Sequence, residues 1–168
     1  MSPVDSYSTL AYDLPDTWLA DLLECGHSVN EPDKSGAYML GLACERLQLE
    51  HVKLGLLRGA DPNCRDIEGN TPLLCAIDFS HHNPGTAFEI VKLLVAAGAD
   101  IESRGYMGKT PFLKASTRGC LDILKFLVSS GCNIHAKSDP DGFTGIDCAT
   151  TFNNSSKFKA YVYGLYNA

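Results

Sequence analysis

Apolar residues recur along the chain at helical spacing, in segments that each end at a glycine. Residues 49–63 (LEHVKLGLLRGADPN), 88–102 (FEIVKLLVAAGADIE) and 121–135 (LDILKFLVSSGCNIH) share one pattern, and residues 16–30 (DTWLADLLECGHSVN) follow it more weakly. Apolar residues three and four positions apart form one face of a helix, and glycine accepts the left-handed backbone that closes a helix. The pattern therefore predicts four helices, each of which ends near the glycine of its segment.

A second shared element precedes each of the later segments. Residues 66–76 (DIEGNTPLLCA) and 105–115 (GYMGKTPFLKA) contain Thr-Pro, while residues 33–43 (DKSGAYMLGLA) and 141–149 (DGFTGIDCA) are weaker copies. A threonine hydroxyl can cap a helix, and proline is tolerated at the first helical position. Each unit is therefore predicted to contain a reversing loop, a short helix, a turn and a longer helix.

The repeat has a period of 33 residues, measured from Asp33 to Asp66. This period, with Gly-x-Thr-Pro-Leu and Gly-Ala-Asp at fixed offsets, resembles the ankyrin repeat family over residues 16–152. The resemblance implies an all-α ankyrin-repeat solenoid of stacked helix-turn-helix units, joined by β-hairpin-like loops, with about four to five repeats and terminal caps. We expect residues 1–168 to form one domain, divided into acidic N-terminal capping helices (1–32), repeats (33–65, 66–104 and 105–138) and a C-terminal cap (139–168). The weak copy at 16–30 is counted as the first unit, so these three repeats are the second, third and fourth units.

Two of the departures from the family pattern concern a polar residue at an apolar position and an insertion. Lys114 stands where an apolar residue is expected, which predicts weaker packing of the fourth unit. The third unit contains six extra residues around positions 80–86, and we expect them to bulge from the turn between its two helices.

The composition is that of a soluble single domain, with 45% hydrophobic and 20% charged residues among 168. The net charge of -6 is uneven: residues 1–33 hold seven acidic and no basic residues, whereas residues 103–137 hold six basic residues against Asp122. The overall acidity argues against nucleic acid as the partner, because phosphate binding requires a dominant basic face. No apolar run approaches the length of a membrane helix, so no membrane partner is expected.

Seven cysteines without a C-x-x-C pair fit neither a disulfide framework nor a zinc ribbon. Together with a start that has no apolar signal segment, they indicate reduced thiols and a cytoplasmic location. Residues 105–110 have the wrong spacing for a phosphate-binding loop, and His81 and His82 lack the spacing of paired metal ligands. We therefore expect no catalytic residues, no metal and no cofactor.

The resemblance implies that a partner contacts the loop tips and the exposed side of the short helices. Clustered aromatic, large apolar and arginine side chains are typical of binding hot spots, although isolated exposed apolar residues are also common. The candidate partner-binding residues are Arg65, Ile67, Glu68, Asn70, Asp78, Phe79, Arg104, Tyr106, Met107, Lys109 and Arg118.

These features favour a non-catalytic protein-protein interaction module that binds one protein partner through its concave face. We expect a stoichiometric inhibitor or adaptor, for example a toxin-neutralising immunity protein, that is a monomer on its own. The basic residues near Tyr106 predict an acidic contact zone on the partner. The alternatives are a secreted bacterial effector that acts on a host protein and an enzyme of unrecognised type.

Overall fold

The computed structural model of the chain describes residues 17–151 and 154–167. Within these ranges it contains nine α-helices, a short 3-10 turn at Tyr106–Gly108 and no strands, which confirms the predicted all-α fold. The helices are α1 (Trp18–Glu24), α2 (Met39–Glu45), α3 (Leu49–Leu57), α4 (Pro72–Asp78), α5 (Pro84–Ala96), α6 (Pro111–Arg118), α7 (Leu121–Ser129), α8 (Gly145–Thr151) and α9 (Ser156–Tyr166).

The helices stack in two rows. The short helices α2, α4, α6 and α8 contact one another in that order, and α1, α3, α5 and α7 form a second row beside them. Leu40, Leu73, Ile90 and Phe112 are buried between the rows as parts of one continuous core. No single helix pair could bury this apolar surface, so the stacking of units provides the core.

The capping residues predicted from the sequence are found at the ends of the helices. The hydroxyls of Thr71 and Thr110 accept hydrogen bonds from the backbone N–H groups of Leu74 and Leu113, at 3.5 and 3.4 Å. A proline follows each threonine at the first helical position. At the other end of a unit, Gly98 has a φ of +93°, the left-handed conformation that closes α5.

The extra residues of the third unit do not form a bulge, and that expectation was wrong. Helix α5 has 13 residues where α3 has nine, so four of the six extra residues extend the helix. The other two lengthen the linker before it from three residues to five. The Asn83 side chain caps the extended helix by accepting a hydrogen bond from the Thr86 N–H at 3.1 Å, and Pro84 follows the cap.

A repeated side-chain contact joins the loops of neighbouring units. Asn63 accepts a hydrogen bond from the backbone N–H of Asp100 at 2.8 Å and donates one to the Gly98 carbonyl at 3.0 Å. Asn30 forms the same pair of contacts one unit earlier. Glu102 provides the acceptor at the third junction. These contacts set the spacing between successive loops.

The two ends of the stack are helical where they are described. Helix α1 falls in the predicted acidic cap, and residues 1–16 of that cap lie outside the described residues. Helices α8 and α9 contact each other, and α8 contacts α6, so the predicted C-terminal cap continues the stack. Within the described part of the chain, no helix combines the length and apolar character required to cross a membrane.

Candidate functional site

An open groove lies between the second and third units, on the side that carries the loop tips and short helices. One of its two cavities, called the main cavity because the loop tips line it, has a volume of about 370 Å³ and is bounded by α2 and α4 and by the loops that precede them. Its lining combines apolar, aromatic and acidic side chains, which include Tyr38, Leu42, Glu45, Cys64, Asp66, Ile67, Glu68, Asn70, Cys75, Asp78 and Phe79.

Asp66 shapes the loop at one end of the groove. Its Oδ1 accepts hydrogen bonds from the backbone N–H groups of Glu68 and Asn70, at 2.9 and 2.8 Å. The resulting tight turn leaves the side chain of Ile67 82% exposed at the loop tip. Ile67 also lies against Gly36 of the preceding loop, where an added Cβ atom would clash with its Cγ2. The absence of a side chain at position 36 therefore leaves the room that Ile67 occupies beside the groove.

A second cavity of about 520 Å³ extends the groove towards the turn that follows α4. It shares Leu42, Glu45 and Phe79 with the main cavity and adds Arg46 and His82. The Phe79 ring is 37% exposed and stacks on the His82 ring, with 6.2 Å between the ring centroids. An exposed aromatic residue thus stands where the two cavities meet.

The carboxylates of the groove are close together. Burial and the negative charge of Asp66 raise the pKa of the Glu45 carboxyl, while Arg46 and a hydrogen bond from Cys75 oppose this to a smaller extent. Glu45, Asp66 and Cys75 each place one potential metal-ligand atom within 4.8 Å of the others. Burial raises the pKa of the Cys75 thiol well above its ordinary value, so this thiol is protonated at neutral pH.

A charged cluster borders the groove beyond Phe79. Lys114 Nζ donates a hydrogen bond to Asp78 Oδ2, and Arg118 donates to Oδ1 from Nε and Nη2, at 3.0 and 2.8 Å. Burial works against ionisation of Asp78, but these two cations outweigh it and hold the pKa of the carboxyl below its ordinary range. The negative charge of Asp78 is therefore compensated within the chain.

Of the candidate residues, five line the groove: Ile67, Glu68, Asn70, Asp78 and Phe79. Arg65 and Arg104 instead connect loops. Arg65 Nη1 donates to the carbonyls of Gly69 and Arg104, at 2.8 and 2.7 Å. Arg104 Nη1 forms the equivalent pair of bonds with Gly108 and Lys137, at 3.0 and 2.9 Å.

The remaining candidates belong to the fourth unit. Tyr106 and Met107 are exposed on its loop, and Lys109 lies 3.5 Å from the Thr117 hydroxyl. Arg118 is held by Asp78, as described above. None of these four lines the main cavity of the groove.

Leu42 and Cys75 also line the groove, and neither is among the residues predicted from the sequence. They occupy equivalent positions, 33 residues apart, on the short helices of successive units. Cys75 is buried on α4, on the face of the helix that opens into the groove. The repeat alignment contained the signal, because equivalent positions of α2 and α4 line the same cavity.

Comparison with known proteins identifies the family of this stack of helix pairs. A family model described as ankyrin repeats (three copies) matches residues 16–104, 40–138 and 83–159. The chain belongs to the ankyrin repeat family. Ankyrin repeat domains are generally protein-protein interaction modules and typically non-catalytic.

This ankyrin repeat chain matches only a small part of the length of its curated relatives. It is 34% identical over 99 residues to ankyrin repeat domain-containing protein 63 of Mus musculus, covering 58% of this chain and 25% of the relative. It is also 34% identical over 90 residues to the B-cell lymphoma 3 protein homolog of Mus musculus, covering 53% and 19%. A third relative, glycerophosphocholine phosphodiesterase gde1 of Schizosaccharomyces pombe, is 32% identical over 95 residues, covering 56% and 8%.

Proposed function

We propose that this ankyrin repeat chain binds one protein partner through its concave face, in the groove between the second and third units. The observation that supports this most strongly is the pair of exposed apolar residues beside the cavity, Ile67 and Phe79. Exposed aromatic and large apolar side chains around a concavity are typical of the residues that contribute most to binding energy.

Binding in the groove would act by occupancy. A partner bound in the groove would be masked or held in place, and it would undergo no chemical change. A stoichiometric inhibitor or an adaptor acts in this way, and a toxin-neutralising immunity protein is one form of such an inhibitor. The family as a whole supports the interaction role, and the specific role is our proposal.

The acidic contact zone expected on the partner has less support than a zone of the opposite sign. Arg65 and Arg104 donate their hydrogen bonds to loop carbonyls, and Arg118 and Lys114 are paired with Asp78. The lining of the main cavity instead includes the carboxylates of Glu45, Asp66 and Glu68.

Affinity capture with matched variants tests this function. The wild-type chain, Ile67→Ala, Phe79→Ala and the control Leu57→Ala would be immobilised and exposed to lysate from the source cells. Leu57 is a suitable control because its side chain is also 82% exposed but lies on α3, away from the groove.

We expect a protein that is retained by the wild type and by Leu57→Ala, and lost with Ile67→Ala and Phe79→Ala. The purified partner should then bind in a one-to-one ratio in a titration. A partner that all four proteins retain equally would contradict binding in this groove.

A further inference from the structure

We infer that the groove binds an extended, basic segment of its partner, with an apolar side chain against Phe79 and a Lys or Arg side chain against Glu45 and Asp66. This inference rests on the proposed function and specifies the chemistry of the ligand.

The shape of the groove suits an extended chain. The two cavities share Leu42, Glu45 and Phe79, so the groove is continuous from the loop tip at Ile67 to the turn at His82. Helix α4 has seven residues and is about 10 Å long, which corresponds to about three residues of extended backbone. A peptide of this length could cover Phe79 and reach the acidic loop at the same time.

The charge of the loop-tip end selects the ligand. Glu45, Asp66 and Glu68 line the main cavity, and the salt bridges found among the described residues include none of them. One oxygen of Glu45 lies within 4.8 Å of one oxygen of Asp66, and burial together with the negative charge of Asp66 raises the pKa of the Glu45 carboxyl. A cationic side chain between them would stabilise the charged form of both carboxylates in a partly desolvated site.

Asp78, a further carboxylate of the lining, already has its counter-ions. Lys114 and Arg118 hold it, so a ligand cation gains little there. Arg46 lines the second cavity, at the end away from Asp66 and Glu68. The site for a positive charge is therefore confined to the loop-tip end, while Phe79 and Leu42 offer the apolar surface beside it.

The chain itself is a poor source of the ligand. Residues 1–16 contain Asp5, Asp13 and Asp16 and no Lys or Arg, and the whole chain has a net charge of -6. This segment does not complement an acidic groove. A second copy would offer the basic residues of its fourth unit, but Arg104, Lys114 and Arg118 there are already paired with carboxylates of their own chain. Charge complementarity therefore favours a segment of a different protein.

A random-peptide selection tests the inference directly. A phage library of linear dodecapeptides would be panned on the full chain with a chelator in the buffer, so that a metal ion cannot bridge peptide and protein. Enriched peptides would be synthesised with a fluorescent label, and their dissociation constants measured by anisotropy for the wild type, Glu45→Gln, Glu45→Lys and Phe79→Ala. The matched control is Glu89→Gln, because Glu89 is an exposed glutamate on α5 that pairs with Lys92.

We expect enriched peptides to contain Lys or Arg close to an apolar residue. Glu45→Gln should weaken their binding about tenfold, since a charge-assisted hydrogen bond is lost, and Glu89→Gln should leave it unchanged. Raising the salt from about 0.05 to about 0.5 M should also weaken binding. Panning on Glu45→Lys should no longer enrich basic residues.

The other outcomes separate the inference from the proposed function. Peptides that require Phe79 but show no basic preference and no effect of Glu45→Gln would overturn the inference and leave groove binding intact. Peptides that are indifferent to both Phe79→Ala and Glu45→Gln would contradict both. A selection that yields no groove-dependent peptide would also overturn the inference of an extended ligand.

Discussion

At the scale of single residues, Lys114 shows where the repeat pattern is insufficient. The sequence marks it as a polar residue at an apolar position and predicts weaker packing. In the structure Lys114 is 6% exposed, and it is paired with Asp78, which lies 36 residues earlier on the adjacent short helix. The pairing depends on the register of α4 against α6, and that register follows from stacking and not from either segment alone.

This pair makes a prediction about stability. Asp78→Asn should lower the free energy of unfolding by about 2 kcal/mol, because it leaves the Lys114 charge buried without its partner; the value is below that of a fully buried pair because Asp78 is partly exposed. Lys114→Met should cost less than about 1 kcal/mol, since Arg118 still compensates Asp78 and a methionine fills the space. Urea denaturation of both variants provides the measurement.

Arg118→Ala is the control for this experiment, because Arg118 is the exposed partner of the same carboxylate. Its loss should have a small effect, as is usual for exposed ion pairs. Equal destabilisation by Asp78→Asn and Lys114→Met would mean that the pair contributes through its attraction and not through the cost of an unpaired buried charge.

The candidate site was predictable only in part, for a related reason. Ile67 and Phe79 can be placed on the surface from the repeat alignment, and the structure finds both exposed beside the groove. Arg65 and Arg104 occupy equivalent exposed positions and remain predicted contacts. Their bonds to carbonyls of the next loop depend on the distance between loops, which the sequence does not contain.

At the scale of elements, local signals predicted the helix starts well and the insertion poorly. Thr-Pro marks the first turn of α4 and α6, and both helices begin there. Asn83 and Pro84 provide the same kind of signal for α5, with an asparagine cap before a proline. Alignment to the shorter units assigns these residues to an insertion, and so the helix start they mark was overlooked.

The contacts between loops give a prediction at this scale. Asn63→Ala removes one acceptor and one donor between neighbouring loops and should cost about 1–2 kcal/mol in the free energy of unfolding. The third junction uses a different pair, in which Glu102 accepts from the backbone N–H of Asn133 at 2.6 Å. Asn63→Glu combined with Asp100→Asn would reproduce that pair and avoid two adjacent negative charges.

We expect the double variant to recover most of the stability lost in Asn63→Ala, as measured by thermal and urea unfolding. Asn63→Glu alone should recover less, because the introduced carboxylate would face Asp100. If the single and double variants were equally unstable, the acceptor at position 63 would not be the feature that joins the loops.

At the scale of the whole molecule, the stack should lose structure locally from an end. Each unit contacts its neighbours, so the stability of a terminal unit depends on one interface, whereas an internal unit has two. Helix α9 contacts α8 and closes the described stack with Phe158 and Val162, which are buried in the same core as Cys148 and Ala149. The hydroxyl of Tyr166 adds a hydrogen bond to the Ile134 carbonyl, so the terminal helix is also fixed to the previous unit.

Hydrogen exchange can distinguish this behaviour from all-or-none unfolding. Phe158→Ala removes a buried ring and should destabilise the last unit by about 3–4 kcal/mol. Exchange should then become faster in α8 and α9 while α4 and α5 keep their protection, because local opening of an end does not require the central units to separate. Ile90→Ala, a buried change in the centre of the stack, should instead accelerate exchange in α4 and α5 together with their neighbours. A uniform loss of protection in both variants would show that the units unfold as one body, and binding in the groove would then be coupled to the terminal helix through the folding of the entire chain.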